Sequence, residues 1–184
     1  MSWTAEDRLL LYFCRTKVDD RIKEKIIEAE RNDVDWDCFL EKTRDNGVSG
    51  VVYRSLNEMR EDCPDVPSTI IEELKNDYYQ NAAKNTLLFE ELGKFLGALK
   101  KSELQVIVLK GAALASIVYG NLALRPMSDV DLLVKKEDLL GVDEQLRMFG
   151  YRPLDMSVND VDFSSTYLTT LDYQRSSQNS HSFH

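Results

Sequence analysis

Two aspartates, Asp129 and Asp131, stand two residues apart at the head of an apolar run, SDVDLLV. In a strand, residues i and i+2 face the same side, so both carboxylates would point one way while Val130, Leu132 and Val134 point into a core. Like charges held that close are unfavourable unless a cation or a proton separates them. The pair therefore asks for a strand with one buried face and one charged face open to a cation. Oxygen ligands with open positions suit Mg²⁺, which shares its shell with waters and phosphates. The bland alternative is a strand end with two aspartates facing water, and the surrounding sequence bears on the choice.

Upstream, Val106 to Leu109 is short and mostly β-branched, which predicts a buried strand. Lys110-Gly111 follows as a turn, and Ala112 to Tyr119 reads as a small-residue helix able to lie close to a sheet, ended by Gly120-Asn121. Gly111 would let backbone approach a ligand at the start of a helix, where free N–H groups can receive an anion; it would equally serve as a plain connector. Lys110 either pairs with a phosphate or snorkels from the strand edge. Arg125, held by Pro126 in the loop before the second strand, is a candidate phosphate fork or a solvent-exposed loop residue. Ser128 directly precedes the aspartates.

The first hundred residues read as helices. Leu9, Leu10, Tyr12 and Phe13, then Ile22, Ile26 and Ile27, recur at helical spacing, with a junction near Lys17 to Asp20. Asp33-Val34-Asp35 supplies an Asx N-cap for a third helix, which Asn46-Gly47 stops, and Ser49 is the expected cap of a fourth. After the loop at Glu61 to Pro67, apolar residues from Ile71 to Leu99 predict one long amphipathic helix of roughly 45 Å. Beyond the second strand, Glu137 to Phe149 is another amphipathic helix with Gly150 as its left-handed cap. Tyr151-Arg152-Pro153 begins an extended piece, and Val161 to Thr169 is β-prone.

A formal charge of −9 argues against a duplex-binding module, which needs a basic footprint, but leaves room for a small anion such as a nucleotide. The three cysteines, Cys14, Cys38 and Cys63, lack metal-knuckle spacing and read as free thiols. With no basic, apolar leader at the N-terminus and no apolar run of spanning length, the expectation is a cytoplasmic protein without a membrane partner.

The string VLKGAAL, then Tyr119, then LRPMSDVDLLV, followed by an acidic helix and Phe149-Gly150-Tyr151, resembles the uncharacterised bacterial nucleotidyltransferase family within the DNA polymerase β-like superfamily. Asp35-Trp36, Asn46-Gly47-Val48 and the long helix extend the resemblance over nearly the whole chain. It implies an α+β fold: an N-terminal helical region over 1–102, then a small mixed sheet with flanking helices over 103–184. It implies Asp129 and Asp131 as catalytic metal ligands, with Lys110, Gly111, Arg125 and Ser128 around an NTP, ATP first among them. The metal would be Mg²⁺, two ions if a third acid is present. The acceptor hydroxyl would belong to a small molecule, protein or peptide sooner than to nucleic acid.

Two departures from the superfamily pattern stand out. Ala112 occupies the place of a second glycine or serine, and the interval from Gly111 to Asp129 is longer than in small members. The third acid has only Asp160, Asp162 and Asp172 as candidates, Asp172 being the best placed. The matching strand is expected to begin near Phe183 and to continue past the end of this chain. A second reading is thus a catalytically incomplete nucleotide-binding or interaction module.

Overall fold

The computed structural model describes residues 3–15, 18–31, 33–154, 158 and 170–175, with the backbone of 182–183. Asp160, Asp162 and the β-prone stretch up to Thr169 lie outside the described residues. The fold is α+β and forms two units, Met1–Asn85 with Asn121–Pro126, and Thr86–Gly120 with Met127–His184.

The first unit is helical because its apolar residues recur at three and four and because the starts of its first three helices are capped by side chains. Thr4 and Asp7 form a capping box on α1 (Ala5–Phe13), each side chain accepting the other's backbone N–H. Asp19 caps α2 (Asp20–Glu30) and Asp35 caps α3 (Trp36–Asp45) by accepting the N–H three residues on, at 2.8 and 2.9 Å. Ser49, expected as the cap of α4 (Ser49–Glu58), is instead its first residue: Val48 holds the cap position without a side-chain bond. Ser49 is buried there, with its hydroxyl 3.5 Å from that of Thr43. Leu9, Phe13, Ile26, Phe39, Val52 and Leu74 form the core, Leu74 from the first part of α5 (Ser68–Lys101). Burying each such side chain contributes about 1.5–3 kcal/mol.

Onto this core the segment 121–126 is clamped. Asn85, fully buried in α5, donates from one amide nitrogen to the carbonyls of Leu122 and Arg125, at 2.6 and 2.7 Å. Asn121 donates to the Tyr78 hydroxyl and accepts from the Ala123 N–H. Gly50 of α4 lies so near that a Cβ there would sit 2.2 Å from the Ala123 carbonyl oxygen.

The second unit begins within α5, which runs through Gly93 and Gly97 without a break. Strand β1 (Val106–Val108) pairs antiparallel with β3 (Leu132–Val134), Val108 opposite Leu132. Between them in sequence come α6 (Lys110–Leu114), a π-helical turn over Ala115–Tyr119, and Gly120 in the left-handed region at φ 61°. Strand β2 (Asp129–Val130) belongs to a four-stranded mixed sheet with β4 (Tyr151–Pro153), β5 (Tyr173–Arg175) and β6 (Ser182–Phe183), in the order β2-β6-β5-β4. A 3₁₀ turn over Lys136–Asp138 precedes α7 (Leu139–Met148), so the helix expected from Glu137 starts two residues later in α form; Gly150, at φ 85°, follows it. The Tyr173 hydroxyl and Arg147 both donate to the buried Asp143 carboxylate, and Arg175 pairs with Glu91, tying β5 to α7 and α5.

Candidate functional site

The single strand expected to begin with the aspartate pair is two pieces, and Asp131 is the junction. Residues 129–130 pair with β6, residues 132–134 pair with β1, and Asp131 belongs to neither ladder. A backbone that changes partners needs its freed groups satisfied. Here the Leu109 N–H, at the end of β1, donates to the Asp131 carbonyl at 2.9 Å. That bond brings the Lys110-Gly111 turn against the aspartates.

The turn carries a conformation that sequence alone places elsewhere. Glycine is the residue expected to take positive φ, yet Lys110 takes it, at φ 45°. A non-glycine residue there costs on the order of 1 kcal/mol, which the surroundings must offset. Part of the compensation is visible: the Lys110 ammonium donates to Asp131 Oδ1 at 2.7 Å. The Asp131 side chain is only 16% exposed and that of Lys110 is 72% exposed, so a water-facing ammonium meets a mostly enclosed carboxylate. The hydrogen bond to Asp131, then the charges of Asp131 and Asp129, hold the lysine above its ordinary pKa. Both carboxylates therefore act on one cation.

Ser128 donates to Asp129 Oδ1 at 3.3 Å, orienting the second carboxylate. Gly111 lies in the first turn of α6, which packs against β2. Ala112, at the place of the expected second glycine or serine, is 2% exposed. A hydroxyl there would need an interior partner, so alanine suits the position. Lys110, Gly111, Ser128, Asp129 and Asp131 are thus gathered in the second unit. Arg125 is not among them; it belongs to the first unit, where Asn85 holds its carbonyl and its Nε is buried without a hydrogen bond among the described residues.

Strand β6 lies beside β2 in parallel register, Asp129 opposite Ser182. Asp172 stands just ahead of β5, one strand further out, and its carbonyl accepts the Leu154 N–H. Among the described residues no three His, Cys, Asp or Glu side chains gather as a metal cluster. The donor set is therefore two carboxylates, of which Asp131 is bonded to the Lys110 ammonium and Asp129 accepts from Ser128. It fits a hard cation that completes its shell with water and phosphate oxygens, and does not fit a closed structural metal site.

Sequence reasoning missed Asn85. Its signal was present: one amide on the inward stripe of a long amphipathic helix, between Ala82 and Phe89, where a polar side chain must find partners.

A family model described as an uncharacterised nucleotidyltransferase matches residues 32–182. No curated protein and no solved structure matches the chain. Among the described residues, no helix is long and apolar enough to cross a membrane.

Proposed function

The chain belongs to this nucleotidyltransferase family, and from that premise we propose that it transfers a nucleoside monophosphate from an NTP, ATP first among them, to an acceptor hydroxyl. Asp129 and Asp131 would be its Mg²⁺ ligands. The reading rests on one observation above all: a largely buried carboxylate, two residues from a second one, that already holds a cation at 2.7 Å. The acceptor oxygen forms its bond to the α-phosphorus as the bond to pyrophosphate breaks. Bound Mg²⁺ would supply positive charge against the developing charge on the phosphates.

The chain's own residues do the rest. Ser128 holds Asp129, and the Leu109 N–H holds the backbone of Asp131, so the two carboxylates meet a cation without reorganising. Lys110 binds a triphosphate oxygen, and the small Gly111 lets the nucleotide approach the turn. A net charge of −9 favours a small molecule, protein or peptide over RNA as the acceptor. We also propose a cytoplasmic location.

The test is incubation with Mg²⁺ and each α-labelled NTP, alone and with cell extract. Label transfer with pyrophosphate release is expected, lowered at least a hundredfold in Asp129→Asn/Asp131→Asn. Equal transfer by the double variant would overturn the site assignment. The absence of a third carboxylate beside the pair among the described residues favours a second reading, nucleotide binding without turnover. Nucleotide-dependent stabilisation with no pyrophosphate from any extract would select it.

A further inference from the structure

We propose that Lys110 is an internal counter-cation that occupies the metal's place on Asp131 until metal and nucleotide arrive together. This rests on the reading of Asp129 and Asp131 as metal ligands. Three observations carry it. The ammonium bonds Asp131 Oδ1 at 2.7 Å, which is the contact a hard cation would take. The lysine side chain is mostly in water while the carboxylate it pairs with is only 16% exposed, so the ammonium accounts for part of what shields Asp131. Its origin is fixed, because Lys110 holds φ 45° and the preceding residue's N–H bonds the carbonyl of the same Asp131. The side chain itself is mostly in water and can swing at little cost.

The consequence is an interlock. A metal ion alone must displace a positive charge from Asp131 and leave that charge beside itself, so it binds weakly. A metal ion carrying a triphosphate brings the anion that Lys110 needs once it leaves Asp131, so the exchange keeps every charge paired. Metal and nucleotide should then bind with positive coupling, each raising the other's affinity by the same factor. A lysine that only contacts phosphate, or only braces the turn, gives no such exchange.

The two cases differ in sign. Mn²⁺ binding by the full chain is titrated from the electron paramagnetic resonance of the free ion, with and without a non-hydrolysable ATP analogue. Lys110→Met and Lys110→Gly are compared with the wild type, the glycine variant because it accepts φ 45° without strain. Both variants should bind Mn²⁺ alone about five- to tenfold more tightly, the gain expected from removing one adjacent positive charge at short range. They should bind the analogue more weakly and show a smaller coupling factor. Lys110→Arg, which keeps the charge, should retain weak binding of Mn²⁺ alone. Unchanged or weaker Mn²⁺ binding in both neutral variants, with Asp131→Asn abolishing it, would overturn the proposal while leaving the metal site standing. Unchanged Mn²⁺ binding in Asp129→Asn and Asp131→Asn would overturn the metal-site reading and the interlock with it.

Discussion

Replacing Gly50 with alanine should destabilise the protein, although the general expectation for glycine in a helix is the reverse. Alanine in place of an interior helical glycine usually stabilises by about 0.5–1 kcal/mol, through lower backbone entropy in the unfolded chain. At Gly50 the added Cβ would meet the Ala123 carbonyl oxygen at 2.2 Å and the Leu124 Cα at 3.0 Å. Both are backbone atoms, and the segment that holds them is pinned by Asn85 and Asn121. The clash cannot be relieved by a rotamer change, so the cost is at the upper end of overpacking, about 3 kcal/mol. In a chain of 184 residues that corresponds to a Tm lower by about 6–12 °C. Gly97→Ala in α5 is the internal control, since a Cβ there meets nothing within 4 Å. It should raise stability by about 0.5–1 kcal/mol. Urea denaturation followed by circular dichroism measures both. If Gly50→Ala were as stable as the wild type, the close seating of 121–126 on α4 would be wrong.

Three further outcomes follow from buried polar groups. Asn85→Leu strips the donor from two backbone carbonyls at once and should cost about 2–4 kcal/mol in urea denaturation; a loss under 0.5 kcal/mol would mean that water replaces the amide. Glu30 is buried, with Oε1 lacking a hydrogen bond among the described residues, and burial raises its pKa above the ordinary 4.5. Its protonated form is therefore the one the fold favours, and stability is lost as pH rises through the raised folded-state value. Glu30→Gln should accordingly raise Tm at pH 7–8 and lose that advantage below about pH 4.5, whereas a pH-independent difference would contradict it. Asp143→Ala leaves the buried Tyr173 hydroxyl without its 2.6 Å acceptor and should cost about 2–3 kcal/mol; absorbance near 295 nm should show that wild-type Tyr173, held back mainly by burial, ionises above the ordinary tyrosine range.

What the sequence reveals here is what short-range chemistry dictates. Asp35 as an N-cap, Gly120 and Gly150 in the left-handed region, and the long α5 each follow from residues within a turn of the feature. The aspartate spacing, the Lys110-Gly111 turn and their proximity are legible for the same reason, since two strands joined by one helix have few ways to pack. Features decided by distant partners were not legible. Asp131 becomes a junction because β1 claims one side of the strand and β6 the other, and β6 comes more than fifty residues later in the chain. Positive φ falls on Lys110 and not on Gly111 because Asp131 repays the lysine with an ion pair, a term no local propensity contains. Ser49 loses its capping role because its place in the core, beside Thr43, outweighs its preference for a helix start.

The central claim is that Asp129 and Asp131 together hold the metal of a nucleotidyl-transfer site. Its most direct test is anomalous diffraction from crystals grown with Mn²⁺ and a non-hydrolysable NTP. A manganese peak is expected about 2.1–2.3 Å from an oxygen of each carboxylate, with phosphate oxygens in the same shell and Lys110 Nζ moved from Asp131 to the triphosphate. A manganese peak away from this strand would contradict the claim, whereas one on both carboxylates with Lys110 still on Asp131 would leave the metal site standing and overturn the exchange.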